Sequence, residues 1–238
     1  AGKYIDCIQF YIDFDASPYF GNYYRWVVEE TYEYHSTFRV TTYLDPKRII
    51  PPDLLSISTF VCYKTENVDD IILLTTDGLT QNKYKRAKLH FVDDYSQRLL
   101  YHYSALVKQY SLSKEAYLYW SKLKKNNQET GGLYTKQPTI PIGNIFNVND
   151  SSEIVLGYFT VSSVTTKRIN VEEVPDFKFS DIGLCDAAII NGPLPTNKLI
   201  FFVDVLLPDG SSFKGYTTLD CVDCREHGGV LEKPSFFD

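Results

Sequence analysis

The chain has 238 residues, 44% of them apolar and 23% charged, with a net charge of −6; this is a globular balance and excludes a disordered chain. An acidic domain repels phosphates, and the cluster Lys83, Lys85, Arg86 and Lys88 is too short to make a basic stripe, so nucleic acid is not an expected partner. The longest apolar runs, Ile71 to Leu74 and Leu199 to Val203, have strand length and fall far short of the ~20 apolar residues of a membrane-spanning helix.

The composition is aromatic, with 19 tyrosines, 15 phenylalanines and 2 tryptophans. Aromatic residues favour strands, and alternation is the dominant period along the chain. Ile8, Phe10, Ile12 and Phe14 share one face of a first strand, with Gln9, Tyr11 and Asp13 on the other. Gly21-Asn22 punctuates, and Tyr24, Trp26 and Val28 begin a second strand that continues to Tyr34, so a long hairpin is expected. Phe38, Val40 and Thr42 suggest a further strand before a loop at Pro46 and Pro51-Pro52. More strands are expected at 57–63, 70–76, 87–92 and 99–110.

One segment has helical spacing instead. Ser113 is placed to cap a helix of about 113–128, Glu115 lies in its first turn, and Lys122, Lys124 and Lys125 complement its C-terminal dipole. Leu112 and Tyr117 have the spacing of a hydrophobic staple, and Gly131-Gly132 stops the helix. Beyond a loose division near 131–141, strands are expected at 154–161, 166–171 and 199–207. Pro208-Asp209-Gly210 then turns the chain into a return strand at 213–218. The expected fold is mainly β: an antiparallel β-sandwich or a strongly curved barrel-like sheet, with one inserted amphipathic helix. Such a single β-rich domain can occupy residues 1–238, since all-β domains run to about 200–250 residues.

The chain has 5 cysteines: Cys7, Cys62, Cys185, Cys221 and Cys224. Cys221 and Cys224 form C-x-x-C before His227, but a second pair of zinc ligands is missing nearby, and the motif opens no helix as a thioredoxin-type site would. Disulfides are the leading reading, with free or structural thiols, or a metal or redox site, as alternatives. A bond from Cys221 or Cys224 is expected, to each other or to Cys185.

No metal-ligand spacing involves any of the 4 histidines, and no nucleophile elbow, dinucleotide fingerprint or phosphate loop occurs. No catalytic residue, metal or cofactor is therefore assigned. Paired carboxylates (Glu29-Glu30, Asp69-Asp70, Asp93-Asp94, Glu172-Glu173) point to opposite faces of a strand and read as solvated edges. Asp13, Asp15, Glu29 and Glu33 would meet across the first hairpin, a set able to hold calcium, though without a regular calcium loop. The densest polar-aromatic stretch is Tyr23, Tyr24, Arg25 and Trp26, running on to Glu33. It reads either as a salt-bridged sheet face or as a ligand platform, because rigid aromatics flanked by charge suit sugar and peptide sites.

A string of segments resembles one family. It comprises Tyr23-Tyr24-Arg25-Trp26 with Glu29-Glu30-Thr31, Tyr103-Ser104 through Gln109, Ser111 to Tyr117 with Trp120, Gly143-Asn144-Ile145, and Leu156-Gly157-Tyr158-Phe159. Ser162-Ser163-Val164 with Lys167-Arg168-Ile169 follows, then the tail Asp220-Cys221, Asp223-Cys224-Arg225, Gly228-Gly229 and Lys233-Pro234 with Phe236. From about residue 4 onward the chain is similar to the Bacteroidota outer-membrane lipoproteins catalogued as domain of unknown function four-two-four-nine. The resemblance implies an exported protein, lipid-anchored at the outer membrane and partnered with a TonB-dependent transporter. It implies no activity and no catalytic residues. Family members carry a lipidated cysteine and an immunoglobulin-like domain ahead of this region, so the chain, which begins Ala-Gly-Lys and lacks methionine, is expected to be a piece of a longer protein. The expected function is a non-enzymatic accessory or binding component of that transport system. The alternatives are a stand-alone glycan- or peptide-binding surface module and a hydrolase with an unfamiliar carboxylate or Cys-His site.

Overall fold

The structure, a computed structural model, describes residues 6–16, 21–44, 58–128, 141–150, 152–172, 174, 185–194, 198–207 and 209–237. The expected proline loop at 46–52, the helix stop at Gly131-Gly132 and residues 131–140 of the expected division lie outside them.

The spine of the molecule is β2 (Tyr23–His35), whose apolar residues recur at every second position. It pairs antiparallel with β7 (Tyr103–Leu112) along one edge, and with β4 (Val61–Asn67) and β5 (Ile72–Thr75) along the other. β8 (Val164–Val171) adds to β7 and completes a five-stranded sheet. Tyr24, Trp26, Val28, Glu30, Tyr32 and Tyr34 are buried on its inner face.

A two-stranded ribbon, β1 (Cys7–Asp15) with β6 (Lys83–Asp93), packs on that face. Phe14 meets Tyr24 and Trp26 edge-on, both at 5.1 Å between ring centroids, and Phe10 stacks on Tyr103 at 5.8 Å. The expected hairpin between the first two strands does not form. β1 crosses to β6, because its apolar face has to cover β2 and a strand cannot lie both beside and on top of another. Asp13 and Asp15 therefore sit far from Glu29 in the pairing. They face Lys85 and Lys83 across the ribbon at 3.7 and 3.6 Å, and Glu29 binds Lys108 at 2.8 Å, so the four carboxylates hold no common calcium site.

A second, four-stranded antiparallel sheet runs β3 (Val40–Leu44), β10 (Ile200–Leu206), β11 (Ser212–Thr217), β9 (Ala188–Ile189), around Phe201, Val203 and Val222. The architecture is thus mainly β, with antiparallel sheets of sandwich type. Among the described residues no sheet closes on itself, so the barrel-like alternative is not realised.

α1 (Lys114–Gln128) begins where expected, with the Ala116 N–H donating to the Ser113 hydroxyl at 3.2 Å. It lies on the outer face of the main sheet, with Tyr117 against Tyr23 at 5.1 Å and Trp120 on Arg25. Among the described residues no helix is long and apolar enough to cross a membrane. The expected strand at 154–161 is absent. Gly157 has φ +126, and the Asn144 side-chain amide donates through Nδ2 to the Phe159 carbonyl and accepts the Phe159 N–H on Oδ1, both at 2.7 Å, standing in for a strand partner.

The tail wraps the free edge of β4. Val230 and Tyr63 exchange backbone hydrogen bonds at 2.8 and 2.9 Å, and Phe237 then reaches the outer face against Tyr63 and His102. Gly229 makes that passage possible: an added Cβ would run into the Tyr34 hydroxyl and lie 2.8 Å from the Cys62 Cβ. Alanine at 229 should destabilise the protein by about 1–3 kcal/mol in urea unfolding, the usual cost of overpacking; an unchanged midpoint would show that the tail gives way freely.

Two disulfides tie the tail down, Cys62–Cys224 and Cys185–Cys221, and Cys7 remains free and exposed. Cys221 thus joins Cys185, while Cys224 reaches Cys62; the two cysteines of the C-x-x-C do not pair with each other. Denatured but unreduced protein should titrate one thiol, and replacing Cys62 and Cys224 together by serine should cost about 2–5 kcal/mol of unfolding free energy.

Candidate functional site

Strand alternation divides the four candidate ligand residues. Tyr24 and Trp26 are 2% and 1% exposed in the inter-sheet core, so no aromatic platform runs over 23–26. Tyr23 and Arg25 stand on the outer face. The Tyr23 hydroxyl donates to Asp77 at 2.6 Å, and the Arg25 guanidinium lies 3.6 Å from the centre of the Trp120 ring. Burial lowers the Arg25 pKa, and no described carboxylate pairs with it. Its work is to hold α1 on the sheet through a cation–π contact.

The chemically concentrated region lies further along β2. Glu30 follows Trp26 and Val28 on the apolar phase of the strand, and its side chain is 3% exposed. Such a carboxylate must be met by donors. The His90 imidazole donates through Nε2 to Oε1 at 2.7 Å, the Tyr103 hydroxyl reaches the same oxygen at 2.6 Å, and Arg98 Nη1 reaches Oε2 at 3.0 Å. These groups come from β6, from the 3-10 turn Gln97–Leu99, and from β7. Arg98 also donates from Nε to Ser96 at 2.9 Å.

Burial alone would push the Glu30 carboxyl up, but the hydrogen bonds from His90 and Tyr103 and the charge of Arg98 outweigh it and hold the group below the ordinary carboxylate range. Burial, and then the bond to Glu30, push the Tyr103 phenol far up, and burial with Glu66 does the same to Tyr32. A carboxylate that is depressed in pKa and already saturated with donors is a poor proton acceptor near neutral pH. The Glu29-Glu30 pair is therefore not a solvated edge: Glu29 is ion-paired on the outer face, and Glu30 is sealed inside.

Beside the cluster opens a cavity of about 370 Å³, walled by Tyr32, Tyr34, Lys64, Glu66, Arg98 and His227. Tyr32 donates to Glu66 at 3.0 Å, Lys64 pairs with Glu66 at 3.1 Å, and the Tyr34 hydroxyl donates to the Cys224 carbonyl at 2.5 Å. On the other face of β2, Glu33 binds His35 at 2.8 Å and His102 at 3.1 Å. His35 also lines the cavity, stacked on Tyr101 at 3.6 Å. Three of the four histidines thus meet carboxylates of β2. Cys185, Asp220 and Cys221 lie within metal-binding reach of one another, but both sulfurs are consumed in their disulfide, leaving no thiolate.

The cluster makes a pH-dependent contribution to stability. Because the folded pKa of Glu30 lies below the ordinary glutamate value of 4.5, the contribution is fully present above that pH and is lost as pH falls through the folded value. Glu30→Gln should cost about 3–5 kcal/mol near neutrality, the scale for breaking a buried charge network. The gap between the wild type and this variant should narrow in unfolding experiments below pH 4.5.

No curated protein and no solved structure matches the chain. A family does match, over a stretch that takes in β1 to β7, α1 and the first part of β8, and with them all four members of the Glu30 cluster. The disulfide-bearing tail lies beyond that stretch. The chain belongs to the family described as Domain of unknown function (DUF4249), which it matches over residues 4–168.

Proposed function

We propose that this protein is an exported, lipid-anchored binding component that works with a TonB-dependent outer-membrane transporter, and that it acts as a receptor rather than as a catalyst. The observation that carries this reading is the condition of the polar groups around Glu30. Its carboxylate oxygens are spent on His90, Tyr103 and Arg98, which suits a rigid wall and makes Glu30 a poor base. The adjoining cavity offers aromatic walls with hydrogen-bonding edges, the ordinary composition of a small-molecule site. Two disulfides fit an oxidising compartment, and the resemblance set out above supplies the anchor and the transporter.

The test is affinity purification of the full-length lipidated protein in mild detergent. A transporter recovered at near-equal stoichiometry is the expected result, and none recovered overturns the reading. The rings of Tyr32 and Tyr34 beside Lys64 and Glu66 also favour a second reading, a glycan- or peptide-binding module that acts alone. Under that reading, ligand binding persists without any transporter.

A further inference from the structure

The ribbon β1–β6 is narrower than the sheet beneath it. It roofs β2 and β7 and leaves the inner face of β8 partly bare, where Thr165 and Lys167 are exposed and Ile169 is half-buried. The gap is a groove of about 580 Å³, within the size range of small-molecule sites. Its lining is mostly apolar, with Trp26, Leu89, Val107 and Ile169 among it; Arg86 and Lys167 stand in its wall as the cations, and Asp13, whose charge is met by Lys85 at 3.7 Å, as the one carboxylate.

The backbone brings Arg86 to this place by an unusual route. Among the described residues it is the one non-glycine with positive φ, at 53°. The ladder between β1 and β6 shifts register between Ile12 and Phe14, and the Asp13 carboxylate accepts the Arg86 N–H at 2.6 Å to hold the bulge. A bulge re-aims a side chain, and here the guanidinium comes to lie over the Tyr11 ring at 4.8 Å. Neighbouring Lys83 and Lys85 are paired with Asp15 and Asp13, whereas no described carboxylate pairs with Arg86 or Lys167. In a chain of net charge −6, two unpaired cations beside an apolar floor call for an anion attached to an apolar body.

We infer that this groove binds a free single-chain amphiphile with an anionic head, its chain against the half-buried Ile12, Val107 and Ile169 above Trp26, and its head group held by Arg86 and Lys167. The site is separate from the cavity beside Glu30, so it stands or falls independently of the transporter reading.

The probe is dodecanoate, titrated below its micelle concentration into the whole protein by calorimetry and by tryptophan fluorescence. The expected result is saturable binding at one site with a change in Trp26 emission, while Trp120, on the opposite face, reports nothing. The double variant Arg86→Gln, Lys167→Gln should bind about tenfold more weakly, equivalent to about 1.4 kcal/mol, with an unchanged melting temperature. Dodecyl phosphate should bind like dodecanoate, dodecanol should bind as weakly as the double variant, and inorganic phosphate alone should not bind. Ile169→Trp, which fills the floor, should abolish binding. Unsaturable uptake, equal affinity in the double variant, or binding only to phosphatidylglycerol vesicles would overturn the inference.

Discussion

A carboxylate sealed between two layers of sheet sets the terms for everything packed around it. Taking Glu30 out of water costs several kcal/mol unless donors replace its hydration, and three consecutive elements, β6, the 3-10 turn and β7, each supply one. The requirement bears most on the ribbon. β1 and β6 share no backbone ladder with the five-stranded sheet, so the packing of Phe10 and Phe14, which is non-directional, would tolerate sliding. His90 does not tolerate it. A slip of β6 by one residue would turn the imidazole outward and leave Glu30 short of a donor. Hydrophobic burial drives the layers together, and the polar contact selects the register in which they meet.

The same strand divides its labour between faces. The inner side of β2 carries the core and Glu30, while its outer side carries Glu29, Glu33 and Arg25, each engaged with a different group: Lys108 of the neighbouring strand β7, the imidazoles of His35 and His102, and the Trp120 ring of α1. The outer face is thus clad by a helix at one end and by the C-terminal tail at the other. The tail also covers the edge of β4, which would otherwise present unpaired backbone groups to other chains.

Much of this was legible in the residues, because period-two burial and helix capping are local. β2, β7, β8, β10 and α1 sit within a few residues of their expected places, and the turn at Asp209-Gly210 joins β10 to β11 as its chemistry demands. Pairing was not legible, since alternation states which face a residue takes and says nothing of its neighbour; hence β1 lies with β6 and not with β2. The Glu30 cluster had one visible sign, a charge on the apolar phase of Trp26, Val28, Tyr32 and Tyr34. His90 and Arg98 gave none, because they reach Glu30 from 60 and 68 residues away. Tyr24 and Trp26 misled for a related reason: aromatic density looks alike whether the rings face a ligand or each other.

The bond between Cys62 and Cys224 spans 162 positions. Synthesis delivers Cys62 long before its mate, and in the interval its thiol is exposed to trapping by the wrong partner. Cys7 and Cys185 both emerge before Cys224 and so compete for it first. The exposed Cys7 makes that competition consequential, since a mispaired Cys7–Cys62 chain would deny Cys224 its partner and leave the tail tied by Cys185–Cys221 alone. The protein therefore reaches its final form only after Cys224 has emerged, and an isomerase able to undo early mistakes would be a natural companion of its maturation.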